Sequence, residues 1–113
     1  MPYYEDRIIT FHDTREMLHR GRDKDRLTEA PIYYYKIFYA DTALYGNTPG
    51  LMMARAFFGI DHVLFATDFP FAGLYGERVT RQTIAAIEGM DLSDEEKKKI
   101  YENNARKILR LPI

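Results

Sequence analysis

Residues 62–71 read HVLFATDFPF, an apolar run from Val63 to Ala66 that ends in Thr67-Asp68. A carboxylate at the end of a buried run has two uses. It caps the turn that follows through its own side chain, or it faces a ligand as a metal ligand or a base. Asp41-Thr42 repeats the arrangement after Ile37–Ala40. In a parallel α/β fold, ligands gather at the carboxyl ends of the strands. Asp68 and Asp41 therefore both stand where chemistry is done, and spacing alone leaves both uses open for each. The histidines add little. His12 and His19 lie seven apart on the sequence, which is not a usual ligand pair. His62 opens the run that Asp68 closes, ~20 Å away along an extended chain, too far to share a metal. No Ser-His-Asp arrangement and no Gly-rich phosphate loop is present, and "GLYGER" is too weak to count as one.

Composition narrows the classes further. The chain has 113 residues, 46% of them hydrophobic, so one domain with a real core is expected. Sixteen basic and seventeen acidic side chains leave a formal charge of −1. That balance supplies no electrostatic footprint for nucleic acid or an anionic membrane. The absence of cysteine excludes disulfide scaffolds, thiolate zinc sites and Cys nucleophiles. The start MPYYEDRIITFHD has no basic segment followed by an apolar one, so it does not read as a secretory signal. No window approaches the ~20 apolar residues of a membrane helix. A cytoplasmic protein is the expectation. Nine Tyr and seven Phe are present without Trp, and IYYYKIFYADTALY holds six of them. Such a cluster can stack bases, but without a basic stripe it reads as a core strand and its neighbours.

The elements that must position the two aspartates follow from local signals. Pro2 suits a helix start, and Tyr4, Ile8, Phe11 and Arg15 recur at helical spacing, which predicts a helix, or two short ones, over 2–19. The charged stretch 19–30 reads as a surface loop. Ile37–Ala40 is a short buried strand. Asn47 or Thr48 caps the next helix and Pro49 enters its first turn. That helix carries Leu51, Met52, Ala54, Ala56, Phe57 and Phe58 and stops at Gly59. A second strand spans His62–Thr67, with no polar alternation, as in a parallel sheet covered on both faces. After a loop at 69–77, Val79, Ile84, Ala85 and Ile87 mark an amphipathic helix over 78–89. Ser93 with Glu96 forms a capping box for the last helical region. Lys97 to Lys99 reads as a solvated face. Two strands joined through a helix make a right-handed parallel unit. Two parallel strands do not complete a domain of this class, whose sheets usually have about five or more.

Three segments together resemble a known family. YADTALYGNTPGLMMARAFFGIDHVLFATDFPF, the helix after it, and LSDEEKKKIYENNARKIL are similar to the C-terminal part of the amidohydrolase-related metal-dependent barrels. That group contains aminocarboxymuconate-semialdehyde decarboxylase and γ-resorcylate decarboxylase. Thr67-Asp68-Phe69-Pro70-Phe71 and Asn104-Ala105 are the specific parts, with His62 in place of the usual basic residue. The opening PYYEDRI resembles the start of the helix after barrel strand six.

The resemblance implies an α/β fold, the last third of a (β/α)8 barrel bearing strands seven and eight, with 1–113 as one C-terminal segment. It implies that Asp68 is a metal ligand that also holds or accepts a proton at the site, and that Arg7 binds a substrate carboxylate through its guanidinium fork. The alternative for Arg7 is a surface ion pair with Glu5, Asp6 or a neighbour. Asp41 is expected to be an orienting or structural group, and Asn104 to tie the final helix to a loop. The family's His-x-His or Glu-x-His of strand one and its histidines of strands five and six have no counterpart here. The expected parent is therefore a metal-dependent decarboxylase or hydrolase of a small carboxylate-bearing substrate, with the 113-residue chain inactive alone. Zinc is the first expectation for the parent's metal, manganese or magnesium the alternatives, and none is expected to bind this chain tightly. The expected partners are the small carboxylate substrate and further copies of the chain, with no nucleic acid and no membrane. The second hypothesis is a noncatalytic, self-associating module.

Overall fold

The computed structural model describes residues 2–18 and 27–112. The chain divides into two compact units, 1–38 and 39–113.

In the first unit, a 3-10 turn at Pro2–Tyr4 leads into α1, Glu5–Leu18, with Glu5 and Asp6 at its positive end. The expected helix is therefore present, and residue 19 lies outside the described residues. The residues at helical spacing are covered unequally: Ile8 is half-buried, whereas Tyr4 and Phe11 are exposed. Most of the charged stretch expected as a loop, 19–26, is also outside the described residues. A second helix, α2, spans Pro31–Lys36 and was not foreseen. Ile32 and three consecutive tyrosines favour a strand by type. Pro31 at the first helical position decides otherwise, because its fixed φ suits a helix start and its missing N–H costs nothing there. Ile37 closes this helix in the right-handed conformation, so the strand expected over Ile37–Ala40 cannot begin until Ala40.

In the second unit, β1 is Ala40–Asp41 and β2 is Val63–Leu64. They pair in parallel, with Ala40 opposite Val63 and Asp41 opposite Leu64. Both strands are shorter than their sequence suggests. His62 belongs to a 3-10 turn, Ile60–His62, and its ring stacks on Tyr39 at 4.2 Å. Between the strands runs α3, Thr48–Phe58. Asn47 caps it, its side chain accepting from Gly50 N–H at 3.1 Å, and Gly59 ends it. Leu51, Ala54 and Phe57 are its buried face. Helix α4, Glu77–Glu88, buries Val79, Thr83, Ala86 and Ile87. Ile84 and Ala85, expected on that face, are exposed. The helical step of 100° puts positions four, seven and eight after Val79 on one stripe, and Ile84 and Ala85 fall off it.

The last segment is α5 (Asp94–Lys98), a π turn at Lys99–Asn103, and α6 (Asn104–Leu109). The capping box is complete: Ser93 Oγ accepts from Glu96 N–H at 3.2 Å, and Ser93 N–H donates to Glu96 Oε2 at 2.9 Å. Arg55 also donates to Glu96, at 2.7 Å, and holds this carboxyl below its usual range, ahead of the Ser93 backbone bond. The lysine run is not simply solvated. Lys97 pairs with Glu88 at 2.7 Å and Lys99 with Asp61 at 3.0 Å. Tyr101 also donates to Glu88, and burial first, then this bond, pushes its phenol up to about 12. Leu51, Ala54, Val63, Ala86, Ile87, Met90 and Ile100 form the core, so both strand-flanking helices and the final segment close on β2.

Among the described residues, β1 and β2 are the only paired strands, and each has one edge unpaired. Phe69, Phe71, Leu74 and Tyr75 are also exposed. Open backbone edges next to exposed apolar side chains are a template for association. Light scattering on the purified 113-residue chain is expected to show self-association; a monodisperse monomer at all concentrations would contradict this.

Candidate functional site

The site is built where the two strands end. Thr42, 1% exposed, continues the pairing past β1: its N–H donates to Leu64 O at 3.0 Å. Its hydroxyl then donates to Ala66 O at 2.9 Å and accepts from Ala66 N–H at 3.0 Å. One buried side chain thus replaces a further rung of the ladder. The next rung is provided from the other side: Phe65 N–H donates to Ile100 O in the π turn, at 3.0 Å. Asn104 Nδ2 donates to both Ile60 O and Val63 O, at 2.8 Å each, and Asn104 is 3% exposed. The expectation that Asn104 ties the final helix to a preceding loop is met, and the tie reaches β2 as well.

Held in this way, the chain leaves β2 and turns sharply at Asp68. Asp68 is in the left-handed region at φ 59°, which Asp adopts more readily than most side chains. The turn after it is made without its carboxylate. Phe69 N–H donates to Thr67 Oγ1 at 3.3 Å, and Phe71 N–H to the Asp68 backbone carbonyl at 2.8 Å. The Phe69–Pro70 peptide is cis. Ala72, Leu74 and Tyr75 also have positive φ, and Gly76 follows at φ 84°. A Cβ on Gly76 would lie 3.0 Å from the Phe69 ring and 3.1 Å from Pro70 Cα, so only glycine lets the loop close on itself. Non-glycine residues in this region cost about 1–3 kcal/mol each and persist where the surroundings over-determine them.

The Asp68 carboxylate is exposed and accepts from Tyr45 Oη, at 3.0 Å on Oδ2. Oδ1 has no bond to any described residue. The bond to Asp68, and then its charge, raises the Tyr45 phenol above the ordinary tyrosine value. Asp41 behaves differently. Its Oδ1 accepts from Ala43 N–H at 2.9 Å, an Asx turn, so it caps its own loop as a structural group. Tyr45 was not foreseen from the sequence. Its position, four residues after Asp41, carries no periodicity that points at Asp68.

Arg7 lies on α1 in the first unit. A cleft of about 370 Å³ there is lined by Tyr4, Arg7, Ile8, Phe11 and Tyr35. The guanidinium sits over the Phe11 ring, 5.5 Å from its centroid. Arg7 makes no ion pair among the described residues, and Glu5, one expected partner, is taken by Lys36 at 3.0 Å. His12 contacts Asp13 at 3.5 Å, and His19 lies outside the described residues.

Among the described residues, no group of three His, Asp or Glu side chains could hold a metal ion. Asp68 Oδ1 suits one position around a hard divalent cation, but the described residues do not complete a centre around it. No described helix is long and apolar enough to cross a membrane.

These features coincide with a known family. The sequence profile of the amidohydrolase family matches residues 11–111, and the chain belongs to that family. No curated protein matches it. Among solved structures it is similar to 5-carboxyvanillate decarboxylase from Novosphingobium aromaticivorans DSM 12444, complexed with manganese and 4-hydroxy-3-methoxy-5-nitrobenzoic acid (24% identity, TM-score 0.76, covering 97% of this chain and 30% of that one). It is similar to dihydroxybenzoic acid decarboxylase from Polaromonas sp. JS666, with bound manganese and the inhibitor 2-nitroresorcinol (26%, 0.71, 99% and 31%). A third is 2,6-dihydroxybenzoate decarboxylase complexed with 2,6-dihydroxybenzoate (23%, 0.68, 97% and 31%). These are TIM-barrel enzymes of the amidohydrolase type. The chain spans about 30% of their length.

Proposed function

We propose that this chain is the C-terminal segment, 1–113, of a metal-dependent decarboxylase barrel acting on a carboxylated phenol, with β1 and β2 as strands seven and eight. The observation that carries the reading is the carboxylate of Asp68. It stands at the carboxyl end of a parallel strand, its turn is closed by other groups, and Oδ1 is open. Asp68 is then the metal ligand this segment contributes, and the other ligands come from outside the described residues. Three relatives of this kind, two of them holding manganese and all of them decarboxylases of benzoate-type acids, support the choice of reaction and make manganese a better choice than zinc. A carboxylate oxygen suits manganese by hardness.

In the first unit, the cleft around Arg7 supports a role in holding the acid. Tyr4, Phe11 and Tyr35 offer aromatic faces, and the guanidinium can bind a carboxylate through two parallel N–H bonds. In decarboxylation the bond from ring carbon to carboxylate breaks. Its electron pair stays on the ring carbon, which takes a proton, and CO2 leaves. Release of CO2 from 2,6-dihydroxybenzoate with manganese present, by the barrel that carries this segment, tests the reading. In that assay Arg7→Lys keeps the charge and loses the fork. It is expected to raise KM at least tenfold with Tm unchanged. A lower Tm with wild-type kinetics would return Arg7 to a structural role.

The second reading, a self-associating module without catalysis, is favoured by the open strand edges and the single open carboxylate. Decarboxylation that Asp68 variants abolish would retire it.

A further inference from the structure

We propose that Tyr45 is the positioning residue for Asp68: its phenol hydroxyl holds the carboxylate in one orientation through Oδ2 and leaves Oδ1 as the oxygen presented to a ligand. The proposal rests on the reading of Asp68 as a functional carboxylate.

Tyr45 is poorly suited to its place unless the hydroxyl is needed. Its backbone is left-handed, at φ 52°, a conformation that a bulky side chain adopts at a cost and glycine or asparagine adopts readily. Its ring is half-exposed, so core packing does not account for a tyrosine here. What the side chain adds is the bond to Asp68 at 3.0 Å, across 23 positions of sequence.

Both ends of that bond are fixed by other contacts. On the Tyr45 side, Leu44 N–H donates to Thr42 O at 2.7 Å, Asn47 N–H to Leu44 O at 3.0 Å, and Thr48 N–H to Gly46 O at 3.0 Å. Gly46, at φ 86°, packs so closely on α4 that an added Cβ would lie 3.1 Å from Gln82 Cβ. On the Asp68 side, Thr67 Oγ1 and the Asp68 carbonyl close the turn that follows. The ties between the two strand ends therefore run in sequence: the parallel ladder, then the Thr42 hydroxyl on Ala66, then the Tyr45 hydroxyl on Asp68. The last is the only one made by a pair of side chains, and it orients a group whose remaining oxygen has no partner among the described residues. The two side-chain torsions of Asp68 otherwise decide where that oxygen points, and small misplacements of a reacting or ligating group are costly to rate.

The test is the Asp68 side-chain rotamer in solution, read from three-bond couplings between Asp68 Cγ and its backbone nitrogen and carbonyl carbon in the isotope-labelled chain. Wild type is expected to show one rotamer. Tyr45→Phe, which keeps the ring and the backbone, is expected to show averaged couplings at Asp68 with Tm unchanged; Tyr39→Phe serves as the control and is expected to leave them as in wild type. In the manganese-supported decarboxylation assay, Tyr45→Phe is expected to lower kcat about tenfold at unchanged KM. One fixed Asp68 rotamer in Tyr45→Phe, averaged couplings already in wild type, or an unchanged kcat overturns the proposal. The couplings are read with neither metal nor substrate, so a failure of the tie is distinguishable from a failure of the decarboxylase reading.

Discussion

Asp68→Asn, placed in the decarboxylase barrel proposed for this segment, is expected to lose bound manganese and to lower turnover at least a hundredfold. The substitution keeps the shape of the side chain and replaces an anionic oxygen with a neutral amide. Tyr45 can still donate to the amide oxygen, so the turn and the tie at Oδ2 survive the change. Thr67 Oγ1 and the Asp68 backbone carbonyl close the following turn without the carboxylate, and folding should be little affected. What disappears is negative charge at the open oxygen, the property a hard cation requires. Metal content by elemental analysis, turnover by CO2 release and Tm by calorimetry separate the outcomes. Full metal occupancy with wild-type turnover would leave Asp68 as a turn residue with an ornamental carboxylate.

Asn104→Asp is expected to destabilise the second unit by about 3 kcal/mol or more, because it removes two donors from buried carbonyls and can place a charge against them. Asn104 is 3% exposed, and its Nδ2 is shared between Ile60 O and Val63 O at 2.8 Å each. For a unit of this size, each kcal/mol corresponds to about 4–8 °C in Tm, so a fall of more than 10 °C is expected. Lys107→Ala, at an exposed position of α6, should change Tm by no more than about a few degrees. An Asn104→Asp protein as stable as wild type would mean that the amide bridge contributes nothing to holding α6 on β2.

Local chemistry was enough for several elements. Asn47, Pro49 and Gly59 bound α3 because a cap, a fixed φ and a missing Cβ act within a few residues. Ser93 and Glu96 start the final segment for the same reason. The unbroken apolar run before Asp68 called for a parallel strand, and β2 pairs in parallel over Val63–Leu64; the motif around Asp68 with Asn104-Ala105 was sufficient to identify the family that the profile match establishes.

Tertiary structure decided what those signals leave open. The stripe on α4 runs through Thr83 and Ala86, while the more apolar Ile84 stays outside. That outcome does not follow from propensity, which is weak against the geometry of packing. The use of each aspartate was decided last. Asp41 and Asp68 have the same sequence setting, a carboxylate beside a threonine at a strand end. Asp41 finds its own Ala43 N–H two residues on, whereas Asp68 finds a phenol 23 residues back. Sequence spacing encodes the first, because the partner is local. The second depends on where the β1 loop lies against α4, a distance that exists only after the chain has folded.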